Sequence, residues 1–322
     1  MRRLASIFVF VLLAGLAAGG ARAGGIEVKA IPVPLQADDP KIDRVGKLLF
    51  RGGVELTSTN DHFGGFSALG ISPDGKRMVA LSDEGARFDA KLVYGADGRL
   101  TGVAQPEIFT LTGPGAVPLI DKALADAEAM APGVNGEIIV AFERTHRIWA
   151  YPAEGTGPRP LPLPAELKGA PANAGIEALT LLNTGALFAI SEGQGRSDTS
   201  LAWVSHRGGW SVLLYRTADS YRPTGAATLP DGDVVVVERF FTPRDGARAR
   251  VRRIAAGDIK AGADLSGALL ADIRAPFTVD NFEGIEAIKG PRGETLLFLI
   301  SDDNFKRMGP QRTLLMMFEL VD

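Results

Sequence analysis

The sequence contains no cysteine and only three histidines among its 322 residues. Disulfides and thiol chemistry are therefore excluded, and zinc sites built from Cys and His are disfavoured. It also lacks a G-x-S-x-G nucleophile elbow, a P-loop, a dinucleotide fingerprint, an H-E-x-x-H pair and an EF-hand loop. A net charge of −3, with no basic stripe to neutralise phosphates, argues against a nucleic-acid binder.

A long hydrophobic run occurs only at the N-terminus. Met1-Arg2-Arg3 is a short positive segment, Leu4 to Leu16 is apolar, and small residues end in Ala21-Arg22-Ala23. The apolar run is too short to span a membrane comfortably, and the A-x-A pattern is typical of a cleavage site. We therefore expect a cleaved Sec signal peptide over residues 1–23. The mature domain, residues 24–322, would be periplasmic or secreted, without a stable membrane anchor.

Helical periodicity is scarce, and the best candidate is short, from Leu119 to Ala125. Most other apolar runs are short and bounded by Gly, Pro, Asn or Asp, which indicates strands and turns. Five of these runs each follow a similar phrase. The phrases begin at Ser67, Glu128, Glu177, Gly225 and Glu286. They recur at intervals of about 50–60 residues, which fits one propeller blade with or without an insertion.

The repeat predicts an all-β chain folded as a single β-propeller, with five blades favoured and six possible. Only three strands, counting the fifth phrase itself, remain from that phrase to the end of the sequence, whereas Lys47 to Leu56 has strand character and precedes the first phrase. We expect this N-terminal strand to join the last blade and close the ring. A sixth blade would have to use Ile26 to Leu56 with divergent material. The remaining alternative is a two-sheet sandwich.

Acidic residues follow the second strand of every repeat. They are Asp83, Glu143, Glu192, Glu238 and Asp302. The first strand of a blade is innermost and the second runs antiparallel beside it, so the start of one adjoins the end of the other. Glu128, Glu177 and Glu286 open first strands, so these acids and the five that end second strands should meet at one mouth of the central channel.

Clustered carboxylates repel one another and need cations to hold them together. Oxygen ligands without Cys, and with few His, suit Ca²⁺. The predicted metal ligands are Glu128, Glu177, Glu286, Asp302, Asp83, Glu192 and Glu283. Further oxygen donors close by are Asp126, Asn281, Asp303 and Asn304.

Arginines occur in the same turns. Arg87, Arg196 and Arg307 follow Asp83, Glu192 and Asp302 within a few residues. Arginine can pair with a neighbouring carboxylate or bind an anion through two hydrogen bonds. These three residues are predicted to hold a small anionic or ester substrate, with surface salt bridges as the alternative interpretation. His62 and His146 lie near the mouth, but no catalytic residue is assigned.

Several phrases resemble one known family. They are Phe66-Ser-Ala-Leu-Gly-Ile-Ser-Pro-Asp-Gly75, Leu81-Ser-Asp-Glu-Gly85, Gly175-Ile-Glu-Ala-Leu179, Asn281-Phe-Glu-Gly-Ile-Glu-Ala287 and Ser301-Asp-Asp-Asn-Phe305. Together they resemble the phytase-like, "esterase-like activity of phytase" family of exported bacterial proteins, from about Phe50 onward. The resemblance implies a β-propeller and ester hydrolysis. The Asp-Ala-x-Asp-Pro-Ala stretch of β-propeller phytases is not found, so no catalytic residue is carried over.

The sequence thus favours an exported, metal-dependent hydrolase of phosphate or carboxylic esters, acting as a monomer at the acidic mouth. The competing hypothesis is a non-catalytic periplasmic propeller that binds a ligand or protein partner and holds a structural Ca²⁺. A lactonase or a sugar-oxidising propeller remains a further alternative.

Overall fold

A computed structural model describes residues 24–153, 157–193, 198–207, 209–306 and 309–321. The predicted signal peptide, residues 1–23, lies outside this range. Within the described residues, the strands form five sheets arranged as blades around a central channel. The predicted five-bladed propeller is confirmed. No helix in the described part of the chain is long and apolar enough to cross a membrane.

Each blade is given from its inner strand outward. Blade 1 contains β5 (Phe66–Ile71), β6 (Arg77–Ser82), β7 (Ala86–Tyr94), β8 (Leu100–Thr110) and β1 (Gly24–Gly25). Blade 2 contains β9 (Ala127–Pro132), β10 (Ile138–Phe142), β11 (Arg147–Tyr151) and β12 (Arg159–Leu161). Blade 3 contains β13 (Ile176–Leu181), β14 (Leu187–Ser191), β15 (Thr199–His206), β16 (Gly209–Arg216) and β20 (Asp264–Leu265).

Blade 4 contains β17 (Arg222–Thr228), β18 (Val234–Thr242), β19 (Gly246–Ile254) and β21 (Ala268–Arg274). Blade 5 contains β22 (Phe282–Lys289), β23 (Thr295–Ser301), β24 (Thr313–Leu320), β4 (Leu48–Thr57) and β2 (Lys29–Pro32), with β3 (Arg44–Val45) paired to β4. One α-helix, α1 (Lys122–Ala125), falls within the predicted helical segment. Short 3₁₀ turns occur at Pro114–Ala116, Val134–Gly136, Ala165–Gly169 and Ala256–Asp258.

The ring closes within blade 5. Strand β4 pairs antiparallel with β24, so that Leu56 lies opposite Thr313 and Leu48 opposite Leu320. The predicted closure by an N-terminal strand is confirmed. Residues 29–57 join blade 5 through β2 and β4, and this segment therefore does not form a sixth blade.

Apolar side chains fill the spaces between neighbouring blades. Phe66 and Phe88 of blade 1, for example, pack in one cluster with Phe298 of blade 5, and all three are 0% exposed. The alternation of strand residues sends successive side chains to the two faces of each sheet, and both faces meet another blade. Burying each phenyl ring stabilises the fold by roughly 2–3 kcal/mol.

The inner strands approach one another closely around the channel. A Cβ added to Gly225 would meet the carbonyl oxygen of Glu283 at 2.5 Å, and one added to Gly284 would meet the amide nitrogen of Leu69 at 2.8 Å. These contacts join blade 4 to blade 5 and blade 5 to blade 1. Only glycine fits at such separations. The channel is therefore narrow below its mouth.

Candidate functional site

Every inner strand contains a β-bulge near its start. The pairing with the second strand skips one residue in each blade. The skipped residues are Ser67, Glu128, Glu177, Thr224 and Glu283. We call these five residues the bulge ring. A bulge leaves one residue unpaired and redirects its side chain. Because the bulge recurs at the same register in all five blades, these side chains surround the channel at one level.

A second set lies just above the bulge ring. On the second strand of each blade, the residue paired with the position just before the bulge is followed at once by a residue at this upper level. In blades 1, 2, 3 and 5 that residue lies beyond the pairing with the inner strand, whereas in blade 4 it still pairs with Arg222. These following residues are Asp83, Glu143, Glu192, Arg239 and Asp302. We call them the rim. Four members of the rim match the acidic positions expected from the sequence, and the fifth, in blade 4, is an arginine.

The sequence assignment is wrong by one residue in blade 4. Glu238 pairs with Pro223 inside the ladder and is 0% exposed. Its carboxylate accepts hydrogen bonds from the Tyr215 hydroxyl at 2.7 Å and from Arg252 Nε at 3.0 Å. Glu238 is therefore a buried link between blades 3 and 4, and its place in the rim is taken by Arg239.

Glu286 does not join the acidic mouth. It lies three residues past Glu283, the bulge residue of blade 5, and is 5% exposed. Its carboxylate accepts a hydrogen bond from the amide of Ala287 at 2.9 Å. Burial raises the pKa of Glu286 to about 8. The expected metal ligand is instead a solitary buried carboxyl group, because the phrase alignment did not detect the bulge.

Apart from Thr224, all members of the two rings line a pocket of about 680 Å³ at one mouth of the channel. This volume suits a small-molecule ligand. Six predicted metal ligands line it, namely Asp83, Glu128, Glu177, Glu192, Glu283 and Asp302. Among the described residues, Glu143 and Asp280 bring the carboxylates of the lining to eight, against three cationic side chains, Arg239, Lys306 and Arg312.

Arg239 neutralises part of this charge. Its guanidinium lies 3.0 Å from Glu283 Oε1 through Nε and 3.3 Å from Glu192 Oε1 through Nη2. The charge of Glu283 raises the pKa of Arg239 further above its usual value. Asn281 Nδ2 also donates to Glu283 at 2.7 Å. Glu283 and Glu192 are therefore satisfied by the protein itself.

The connection between blades 1 and 2 supplies another cation. Lys122, in helix α1, places Nζ 2.7 Å from Asp83 Oδ2 and 2.6 Å from Asp126 Oδ1. Asp121 caps this helix by accepting a hydrogen bond from the amide of Ala123 at 3.0 Å. Asp126 is 1% exposed and also lies 2.6 Å from Arg144 Nε.

The remaining acids are poorly compensated. Burial raises the pKa values of Glu128 and Glu177 well above the usual range, and neighbouring carboxylates add to both shifts. Burial likewise raises the pKa of Glu143, and it raises that of Asp302 to about 7. Fully ionised, the cluster would be unstable without an added cation.

The donors present fit Ca²⁺. Asp126, Glu128 and Glu143 can each offer one carboxylate oxygen, with these atoms within 4.8 Å of one another. Asp83 Oδ1 is buried without a hydrogen-bond partner among the described residues. Several carboxylate oxygens on a rigid scaffold are the ligand set that Ca²⁺ prefers. The chain thus contains an acidic group able to bind a metal ion.

Of the three predicted substrate arginines, only Arg87 lies among the described residues, and it is not at the pocket. Arg87 lies on β7, the third strand of its blade, and donates to both oxygens of Asp89 at 2.8 and 2.9 Å. It is absent from the pocket lining, because a third strand lies away from the channel axis. Arg196 and Arg307 lie outside the described residues. The described arginines of the pocket are Arg239 and Arg312, and Arg239 was signalled in the sequence only by directly following Glu238.

No histidine lines the pocket in the described part of the chain. His146 Nε2 hydrogen-bonds with the carbonyl oxygen of Pro171 at 2.9 Å, and His62 is exposed. Neither is placed as a general base.

The chain is similar to one known protein family and to several solved structures. A family model described as "Phytase-like: Esterase-like activity of phytase" matches residues 61–305. No curated protein matches the chain. Similar solved structures include a protein of unknown function from Dyadobacter fermentans, with 15% identity, TM-score 0.44 and coverage of 94% of each chain.

A structure described as a putative gluconolactonase has 12% identity and a TM-score of 0.45, covering 96% of this chain and 95% of that one. Virginiamycin B lyase from Staphylococcus aureus has 10% identity and a TM-score of 0.41, covering 90% of this chain and 99% of that one. Likenesses this distant support no inference about activity. The family model, in contrast, matches well over half of the sequence, and the chain belongs to the phytase-like family described by esterase-like activity of phytase.

Proposed function

We propose that this protein is an exported, Ca²⁺-dependent hydrolase of phosphate or carboxylic esters that acts at the acidic mouth of the propeller. The observation that carries the proposal is the bulge ring, which turns Glu128, Glu177 and Glu283 into one pocket beneath an acidic rim. The description of the family as esterase-like supports ester hydrolysis over other reactions.

Separate residues are assigned to the cation and to the substrate. Glu128, Glu143 and Asp126, assisted by Glu177, would hold the ion. A bound divalent cation polarises an ester oxygen and lowers the pKa of a bound water. Across the pocket, Arg239 carries a fixed positive charge that can stabilise negative charge developing on the ester.

A second candidate is a ligand-binding propeller with a structural Ca²⁺. It is favoured by the lack of a histidine in the described pocket lining and by the lack of a nucleophile hydrogen-bonded to a base there. In this case the ion would stabilise the rings without turnover.

Assays with p-nitrophenyl phosphate and p-nitrophenyl acetate separate the two candidates. The first predicts turnover of at least one ester that EDTA abolishes and Ca²⁺ restores. Glu177→Gln should lower this activity strongly. Glu286→Gln makes the same chemical change at a buried glutamate outside the pocket and should leave it intact. If neither ester is hydrolysed with any divalent metal while Ca²⁺ still raises the melting temperature, the binding candidate holds.

Export and monomeric state are part of the proposal. Expression of the full sequence in a bacterium should give a periplasmic or secreted product that begins near Gly24, as read by mass spectrometry. Size-exclusion chromatography with light scattering should give one chain per particle. An intact N-terminus on a cytoplasmic product would contradict export, and a stable dimer would contradict the monomer.

A further inference from the structure

We infer that the mouth pocket is divided into a cation-holding side and a substrate-holding side, and that the second side selects an ester with an apolar group and at most one negatively charged group. That the selected ligand is a substrate rests on the proposed function. The preference for such a ligand can be measured by binding alone, without turnover.

Blade 4 extends over the mouth. Strands β6, β10, β14 and β23 end at or before the level at which Glu238 lies in β18. Strand β18 continues from there to Thr242 and pairs throughout with β19. The β18–β19 hairpin therefore rises above the rim and forms a wall on one side of the pocket.

The wall presents an aromatic side chain to the pocket. Phe241 is two residues beyond Arg239, so both side chains lie on the same face of β18. Phe240, on the other face, stacks on Tyr221 with ring centroids 5.4 Å apart. Phe241 lines the pocket, directly opposite Ala247 on β19, and is 62% exposed.

Local hydrogen bonds hold this hairpin in place. Thr242 Oγ1 donates to Asp245 Oδ2 at 2.8 Å, and Arg248 lies 2.9 Å from Asp245 Oδ1. The exposed phenyl ring of Phe241 is therefore attached to a strand end that these hydrogen bonds hold in a fixed position. An apolar surface fixed beside polar groups is the arrangement that small-molecule sites use for affinity and orientation.

The two sides of the pocket differ in chemistry. Blades 1 to 3, with the connections leading into them, contribute five carboxylates, one serine and one asparagine to its described lining. Among the described residues, all of the cationic and apolar lining comes from blades 4 and 5, where Val279 and Pro310 extend the apolar wall. The cation therefore belongs on one side, and an apolar group belongs on the other.

The charges limit the ligand further. Lys306 Nζ contacts the neutral Gln311 Oε1 at 3.0 Å and has no carboxylate partner among the described residues. Arg312 lies 3.4 Å from Asp280. One anionic group can be held here, but a second would face the eight carboxylates of the lining. Like charges at short range cost several kcal/mol, so a polyanion is rejected.

Three probes test this division on the Ca²⁺-loaded protein by isothermal titration calorimetry. Phenylphosphonate has one anionic group and an aromatic ring, methylphosphonate lacks the ring, and 4-carboxyphenylphosphonate adds a second anionic group. We expect phenylphosphonate to bind at least about tenfold more tightly than either of the others.

Variants locate the preference. Phe241→Ala should remove the advantage of phenylphosphonate over methylphosphonate, and Phe241→Tyr should keep it. Leu269→Ala, at another exposed apolar residue of blade 4, is the matched control and should change nothing. Lys306→Gln should weaken all three probes. Because Phe241 is exposed, its loss should not change the melting temperature.

The outcomes distinguish this inference from the proposed function. Equal binding of the three probes, or a phenylphosphonate preference that survives Phe241→Ala, overturns the division of the pocket even if esters are hydrolysed. A preference that depends on Phe241 supports the division. If that preference occurs without turnover of any ester, the hydrolase proposal fails and the ligand class stands.

Discussion

Glu177 and Glu286 lie on inner strands, have pKa values raised by burial and differ mainly in their neighbours. Glu177 lies among Glu143, Glu192 and Glu283, whose charges raise its pKa further. Glu286 accepts backbone hydrogen bonds only, and no other carboxylate contributes to its shift. Glu177 is a bulge residue directed into the pocket, whereas Glu286 lies in the regular part of its strand. The bulge therefore decides whether a buried acid takes part in a cation site.

Among the substitutions considered, replacement of Arg239 should change the free energy of unfolding most. Arg239→Gln leaves Glu283 and Glu192 without their guanidinium partner. We expect the free energy of unfolding without Ca²⁺ to fall by about 3 kcal/mol, since a buried carboxylate loses its counter-charge. Added Ca²⁺ should recover part of this loss. Urea denaturation followed by tryptophan fluorescence measures both quantities.

Arg253→Gln is the control, because this arginine also contacts two acids, Asp231 and Asp233, in the same blade, but neither acid is as buried as Glu283. It should cost no more than about 1 kcal/mol. Equal losses for the two variants would show that Arg239 makes only an ordinary surface ion pair.

The two glutamates themselves should differ in Ca²⁺ affinity. Glu177→Gln is expected to weaken binding about a hundredfold, or roughly 2.7 kcal/mol, because a carboxylate ligand becomes neutral. Glu286→Gln should leave the affinity unchanged. Calorimetric titration of EDTA-treated protein with Ca²⁺ gives both constants. Similar losses of Ca²⁺ affinity in the two variants would show that both glutamates belong to one site, contrary to this prediction.

The dependence of protein stability on pH should reveal Glu286, which Ca²⁺ affinity does not. The pKa of Glu286 is raised in the folded state to about 8 from a usual 4.5, so its contribution is full below pH 4.5 and is lost as the pH rises to about 8. Glu286→Gln, which mimics the protonated acid, should therefore stabilise the protein at pH 9, by on the order of 2 kcal/mol. Near pH 4.5 it should have little effect. Thermal melts across this range would contradict the assignment if the difference were constant.

The smallest expected effect is the pH dependence of Ca²⁺ binding. Asp302 lines the same pocket and has a pKa raised to about 7, so its ionisation adds negative charge to the pocket as the pH rises through this value. Affinity should increase about tenfold between pH 6 and pH 8. Glu286→Gln should show the same slope as the unchanged protein, and a flat profile would exclude proton competition at the pocket.

The sequence predicted the architecture well because propeller blades repeat. The five phrases located all five inner strands, and the strand at Lys47 to Leu56 was correctly assigned to the last blade. The site was predicted less completely. In blades 2 and 3 the phrase begins on the bulge residue, so Glu128 and Glu177 were aligned correctly.

In blades 4 and 5 the phrase begins after the bulge, and the alignment moved to Gly225 and Glu286. A bulge is defined by ladder pairing rather than by residue type, so no residue in these phrases signalled the shift. The wall at Phe241 was also missed, since the length of β18 beyond the rim depends on its pairing with β19.

The pairing of β4 with β24 has a consequence for the order of folding. Leu56 and Thr313 meet although nearly four complete blades lie between them in the chain. Closing so large a loop is entropically costly, and folding slows as contacts become more distant in sequence. The four innermost strands of each of blades 1 to 4 come from one continuous stretch of chain, whereas blade 5 must wait for both ends of the described chain. We expect its assembly to be the late step, with an open ring as the species that precedes it.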